Sequence, residues 1–114
     1  MQLSAIGDIT TVAGDGLAGY SGDGGPAVSA SLSYPNGIAF DASGDIYIAD
    51  TSSSAIRKII KDTSYISTVA GTPMNYSYSG DCALSVLSGT NFPSSIAVDV
   101  SGNIYIADTD NHII

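Results

Sequence analysis

Apolar residues along this chain come in short runs, each closed by a cluster of glycine, serine, asparagine or aspartate. Gly37 to Asp41 is one such run. Asp41-Ala42-Ser43-Gly44-Asp45 follows as turn chemistry, with Gly44 where a short hairpin loop needs a left-handed residue. Asp45 to Thr51 (DIYIADT), Ile56 to Ile60 and Ile66 to Ala70 come next. The spacing predicts four short antiparallel strands. Ile46-Tyr47-Ile48-Ala49 is apolar at every position, so both faces of its strand are expected to be buried, whereas a sheet with one wet face alternates. Burial on both faces is met when sheets stack on one another, as propeller blades do. Ala55 to Lys61 is the one helix-like stretch, and it is too short and too β-branched to form one.

The pattern repeats. Tyr34 to Ile56 (YPNGIAFDASGDIYIADTSSSAI) and Phe92 to Ile114 (FPSSIAVDVSGNIYIADTDNHII) share 13 of 23 positions at an offset of 58. ITTVAG from Ile9 matches ISTVAG from Ile66, and Ser21-Gly22-Asp23 matches Ser79-Gly80-Asp81. Self-similarity at such a period marks a solenoid, propeller or array. Residues 1–114 are therefore expected to be a single repeat segment. Within it, 1–33 are the end of one blade and a long loop, 34–71 a complete blade, 72–91 a second long loop, and 92–114 the start of the next blade. About two blades do not close on themselves, since such arrays need roughly three or more units. The expectation is either further blades of one longer polypeptide or copies that complete one another. With the ITTVAG motifs aligned, Met1 falls at Lys58 and Ile114 at Ile56, which leaves one residue lacking at a seam between copies.

These motifs resemble a known family. TVAG, the GYSGDGGPA loop, Pro-x-Gly-Ile-Ala, D-x-S-G-D, YIADT and IRKI are similar to the long form of the NHL repeat. The resemblance implies an all-β fold of four-stranded antiparallel propeller blades, commonly six to a ring. Two departures stand out. The second loop has Cys82-Ala83-Leu84-Ser85 in place of GGPA. The usual Asn-Asn-Arg is replaced by Ser53-Ser54-Ala55 and by Asn111-His112-Ile113.

Charge narrows the function. Eleven acidic residues face three basic ones, a net charge of −8. Nucleic-acid binding rests on Lys and Arg displacing counterions, so no nucleic-acid partner is expected, and an anionic membrane is disfavoured alike. No apolar run approaches the roughly 18 residues of a membrane span, and Met1-Gln2-Leu3-Ser4 lacks the basic start of a signal peptide. Cys82, the single cysteine, makes no internal disulfide and is expected to be buried.

The candidate ligand loops hold Tyr20, Ser21 and Asp23 in one repeat and Tyr78 and Asp81 in the other. Long connections often have a task, and aspartate with nearby carbonyls can hold a cation or polar ligand. Alternatively, Asp23 and Asp81 bond backbone N–H groups and stiffen the blade junction. Tyr20, Tyr76 and Tyr78 can stack on a sugar or pack within the loops. Asp41, Asp45 and Asp99 read as turn formers, because the alternating ligands and closing Glu of a calcium loop are missing. Asp50-Thr51 and Asp108-Thr109 are expected to organise blade turns, and Tyr47 and Tyr105 to be blade core. His112 is the one histidine, and its counterpart is Ser54, so no catalytic triad or zinc site is expected. Asn75-Tyr76-Ser77 is an N-glycosylation sequon.

The chain is therefore expected to be a non-catalytic scaffold or interaction module, without cofactor or metal, outside the cell or at its surface. Its expected partners are other copies or further blades, with a glycan at Asn75. A propeller that binds carbohydrate, peptide or cation through its loops is the rival. A propeller lyase or hydrolase, which resemblance implies would need converging histidines, is the third reading.

Overall fold

A computed structural model describes residues 1–71 and 90–114. Their strands form three antiparallel sheets. β1 (Gln2–Leu3) pairs with β2 (Ile9–Thr10). The strands β3 (Pro35–Phe40), β4 (Ile46–Asp50), β5 (Ala55–Ile59) and β6 (Ile66–Gly71) form a four-stranded meander in chain order. β7 (Pro93–Val98) pairs with β8 (Ile104–Asp108). The only helical elements among the described residues are three-residue 3-10 turns.

Local chemistry sets these hairpins. Asp41 Oδ1 accepts the N–H groups of Ser43 at 2.9 Å and Asp45 at 3.0 Å, and Gly44 takes φ +86°. Asp99 does the same with Ser101 and Asn103, both at 2.9 Å. The carboxylate thus replaces the missing backbone acceptors of the tight turn. Strand limits differ slightly from those expected. β3 starts earlier, at Pro35, because a bulge between Pro35 and Gly37 extends its pairing with β4. Thr51 leaves β4 to open a 3-10 turn, Thr51–Ser53, capped by Ser54 at φ +54°. There Thr51 Oγ1 donates to the Pro93 carbonyl at 2.6 Å and ties the sheet to the next one.

Side chains of the four-stranded sheet leave on two faces. Ile46, Ile48 and Ile59 lie on one, packed with Ile66, Ala27, Ala30 and Leu32. Tyr47, Ala49, Ile56 and Ala70 lie on the other, against Ile96, Val98, Ile104 and Ile106 of β7 and β8. Both faces of β4 are therefore covered, as its unbroken apolar run requires. The packing has a sense. The face of the second repeat that meets the first is the counterpart of Ile38, Phe40, Ile46 and Ile48. It lies against the opposite face of the first repeat. One repeat thus docks front to back on the next.

Close approach of β3 to β7 makes this possible. A Cβ on Gly37 would stand 2.9 Å from Ser95 Cα and 3.2 Å from the Ser94 carbonyl oxygen, both backbone atoms.

Two readings are refined. Among the described residues Tyr105 is 53% exposed, while Tyr47 is 5% exposed. The face that carries Tyr47 is covered by β7 and β8, whereas no described sheet lies on the face that carries Tyr105. The second concerns register. Leu3 pairs with Ile9 and Gln2 with Thr10, as Ile59 pairs with Ile66 and Lys58 with Ser67. Leu3 is thus the structural counterpart of Ile59, and Met1 that of Arg57, not of Lys58. The turn from Ser4 to Asp8 is one residue shorter than that from Ile60 to Tyr65. It closes through Gly7 at φ +91°, where the longer turn uses Ser64 at φ +59°. Alignment on the motif alone assigns that missing residue to the strand, whereas the pairing places it in the turn.

Gly37→Ala should lower stability by about 1–3 kcal/mol, the usual cost of overpacking. Gly25→Ala should change it by less than about 0.5 kcal/mol, since the nearest atom to a Cβ there is a carbonyl oxygen at 3.5 Å. Thermal or urea melts of the two variants compare these costs directly.

Candidate functional site

β5 runs through the interior of the sheet, and Arg57 sits at its centre with no exposed surface. A guanidinium there loses its water and needs an acceptor for each of its five N–H groups. Nε donates to Asp23 Oδ1 at 3.2 Å. One terminal nitrogen donates to the Ser31 carbonyl at 3.1 Å and to Asp50 Oδ2 at 3.2 Å. The other donates to the Ser21 carbonyl at 2.8 Å and to Asp23 Oδ1 at 2.9 Å. The Tyr20 ring lies over the guanidinium carbon, 4.6 Å from it to the ring centre. All five donors are used, and the planar cation is stacked as well.

The acceptors come from two parts of the chain. Asp50 ends the neighbouring strand β4, and the Ser33 N–H donates to its other oxygen at 2.6 Å. Tyr20, Ser21, Asp23 and Ser31 belong to the long loop. Asp23 Oδ2 lies 2.8 Å from the Tyr20 hydroxyl and 2.7 Å from that of Thr68 of β6, and the two hydroxyls also bond each other, so the three oxygens share two protons. Next to this cluster the loop pairs with the start of β6. Gly24 N–H donates to the Ile66 carbonyl at 2.8 Å, and Ile66 N–H donates to the Gly25 carbonyl at 3.0 Å. The Gly-Asp-Gly-Gly segment thereby covers the beginning of an outer strand edge, which would otherwise be open to pairing with other chains.

The charges are unequal. Burial raises the Asp23 carboxyl, but hydrogen bonds from Thr68 and Tyr20 and the charge of Arg57 outweigh it and hold the group below the ordinary carboxylate value. For Asp50 burial prevails over the Ser33 N–H and Arg57, and its carboxyl is raised. Burial also raises the Tyr20 hydroxyl. Asp108, the counterpart of Asp50, has different company. Asn91 N–H donates to one oxygen at 2.6 Å, and Asn111 Nδ2 donates to the other at 2.8 Å.

Of the loop residues singled out in the sequence, Tyr20, Ser21 and Asp23 are brought together, and what they surround is Arg57. Asp23 binds a side-chain cation rather than the loop's own N–H groups. Tyr78, Asp81, Asn75, Tyr76 and Cys82 lie outside the described residues. His112 is exposed and occupies the left-handed position that ends a 3-10 turn, as Ser54 does. Among the described residues, no three His, Cys, Asp or Glu side chains converge to hold a metal ion. A cavity of about 950 Å³ opens beside the first part of the long loop, lined by Ala13, Asp15, Leu17, Val28, Leu32 and Tyr34. Sequence reasoning passed over Arg57. Its signal was there: a strand buried on both faces that contains a charge must find the counter-charge inside the protein.

Replacing Arg57 with Met should destabilise the fold by about 3–5 kcal/mol, because Asp50 stays buried without its cation. Adding Asp50→Asn should recover part of the loss, as read by urea denaturation. Acid should act on Asp23. With its folded value below that of the unfolded chain, near 3.9, its contribution is complete above about pH 4 and is lost as the pH falls through the folded value. Asp50 is shifted the other way, so its protonation opposes that loss. Asp23→Asn should therefore lower stability at pH 6 and flatten the decline below pH 4.

The comparisons with known proteins agree with this architecture. A model of the Teneurin NHL domain matches residues 12–79, and a model of the NHL repeat matches residues 90–114. Human Teneurin-4 is 32% identical over 96 residues, covering 75% of this chain and 4% of that protein. Teneurin-1 of Caenorhabditis elegans is 33% identical over 108 residues, covering 87% and 4%. The chain spans only this small part of those relatives. A crystal structure from Bacteroides thetaiotaomicron, of a protein of unknown function, superposes with a TM-score of 0.58 at 32% identity, over 72% of this chain and 20% of that one. With repeated strand motifs, front-to-back sheets and family matches over both repeats, this chain belongs to the NHL-repeat family, and its sheets are blades of a β-propeller.

Proposed function

We propose that this propeller segment is a non-catalytic interaction module that acts outside the cytoplasm, and that its blade faces stack head to tail on further blades, either of one longer polypeptide or of other copies. One observation carries the reading. The contact between the two repeats uses one front face and one back face, and among the described residues a second front face and a second back face have no sheet against them. On the first repeat Ile38 and Phe40 are 54% and 60% exposed, beside a cavity of about 370 Å³ lined by Val12, Ala13, Leu32 and Ile48. On the second repeat Tyr105 is exposed, and Ile114 lies fully in solvent. These two surfaces have the chemistry of the pair already packed inside the chain. Exposed apolar faces of this kind mark association sites. Because the contact is heterologous, it propagates until it closes as a ring or continues as a filament. Three copies of two blades make the six-bladed ring that the family resemblance implies.

The acidic, Lys-poor sequence and the sequon at Asn75 support a place at the cell surface or outside it, with a glycan on that loop. The same charge argues against nucleic acid as partner. The cavity of about 950 Å³ beside the long loop favours a second reading, in which the loop holds a carbohydrate, peptide or cation. Catalysis is the weakest reading, because the polar groups of the loop are already bonded to Arg57.

Light scattering on the purified chain tests the assembly. Masses that are multiples of 11.5 kDa are expected at micromolar concentration, and Tyr105→Lys should shift the population to folded monomer. A stable monomer of the unaltered chain would overturn assembly from copies and leave further blades of one polypeptide as the partner.

A further inference from the structure

Four polar groups of the first repeat converge on one carboxylate. Nε and one terminal nitrogen of Arg57 donate to Asp23 Oδ1 at 3.2 and 2.9 Å. The hydroxyls of Tyr20 and Thr68 lie within hydrogen-bond reach of Oδ2. A guanidinium edge with two donors, backed by hydroxyls, is the chemistry that recognises a carboxylate. The opposite side of the guanidinium is held by Asp50 at 3.2 Å. The two carboxylates differ in access. The Asp50 side chain has no exposed surface, whereas that of Asp23 is 37% exposed beside a cation that has none. Asp23 is thus the partner that solvent reaches.

Asp23 belongs to a segment with little other hold on the sheet. Ser21 to Gly24 and Pro26 are exposed. Ser21 Oγ accepts from the Ser31 N–H, which lies in the same loop. Among the described residues, Asp23 is the only one from Ser21 to Pro26 whose side chain makes a hydrogen bond to the blade. Backbone bonds of Gly24 and Gly25 to Ile66 complete the attachment. Firm anchors begin just beyond, at Ala27 and Ala30, which pack with Ile48 and Ile59 in the core. On the other side Gly22, at φ +92°, passes so close to Ala30 that a Cβ would stand 2.6 Å from its Cα.

We propose that the Arg57 pocket is a carboxylate-binding site that the loop fills with its own Asp23, and that residues 23–26 form a strap which opens while the rest of the blade stays folded. Opening withdraws no side chain from the apolar core, and Arg57 keeps Asp50. Openings of this kind, smaller than global unfolding, occur where few apolar contacts hold a segment. When the strap lifts, Ile66 loses Gly24 and Gly25, and the start of β6 becomes a free strand edge. A carboxylate from another source that occupies the pocket holds the strap away and leaves that edge to a second strand.

Asp23→Ala removes the carboxylate and leaves its space to formate, an ion of the same size. In urea melts of this variant, formate should stabilise the fold saturably relative to chloride at equal ionic strength. A concentration ten times its dissociation constant should raise the folding equilibrium constant about elevenfold. The unaltered chain, with its pocket filled, should show no such difference. Thr68→Val in the Asp23→Ala background should weaken the formate effect, which a general effect of the salt would leave unchanged. An Asp23→Ala chain that gains nothing from formate, gains no more than the unaltered chain, gains as much without the Thr68 hydroxyl, or stays unfolded in both salts would overturn the site. Hydrogen exchange on the unaltered chain tests the strap by itself. The amides of Gly24 and Ile66 should exchange together, through an opening shallower than the one that frees the amides of β4 and β5. Exchange of all of them through a single global opening would overturn the strap.

Discussion

A guanidinium with no exposed surface is the constraint on which the complete blade depends. Arg57 lies in a strand whose two faces are both covered, so its five donors must be met from inside the protein. Two carboxylates and two carbonyls meet them. Three of these acceptors belong to a loop distant in sequence. In supplying them, that loop is fixed in place: Tyr20 lies over the cation, Asp23 ties β5 to β6 through Thr68, and the following glycines cover the start of β6. The loop therefore works as part of the blade, filling the space on its outer half and shielding its edge. Breaking one partner would leave a buried charge uncompensated, which is far more costly than an equivalent loss at the surface.

The two repeats solve the same local problem differently. Asp50 and Asp108 occupy the same place at the end of equivalent strands, and each accepts a backbone N–H from the residue that precedes its own inner strand by a short step. The first completes its shell with an arginine and the second with an asparagine. The hairpin acids differ similarly, an aspartate with lysine in one repeat and an asparagine amide in the other. Equivalent backbone has been kept while charge has been exchanged for neutral hydrogen bonding. Stability in such arrays is the sum of units and of interfaces between neighbours, so a unit without the arginine–aspartate pair can still be held well if its neighbour covers its faces.

Function in a propeller lives in the sites built on it, not in the fold. The polar cluster richest in contacts here is closed around a side-chain cation and has a structural task. The other surface the described residues carry is the apolar face at either end of the two repeats, where blades of a propeller stack, in a chain of strong negative charge.

Much of the architecture was legible in the order of residues. Strands, hairpins and repeats depend on neighbours a few positions apart. A turn such as Asp41 to Asp45 bonds itself, and the apolar run from Ile46 to Ala49 declares burial on both faces wherever it is placed. Asp50 lies seven residues from Arg57 on the adjacent strand, but the loop partners were not legible, because they lie 26 to 36 residues away and any of several aspartates satisfies the same electrostatic need. Nor was the exposure of Tyr105, which has the same strand context as the buried Tyr47 and differs only in what is stacked on it. The register of β1 escaped motif alignment because a turn shortened by one residue shifts the strand before it while leaving the motif after it unchanged. Sequence alone determined the blade, since its forces are local. Tertiary structure decided which loop meets which cation and which faces of the two repeats meet, since those depend on the distances that folding creates.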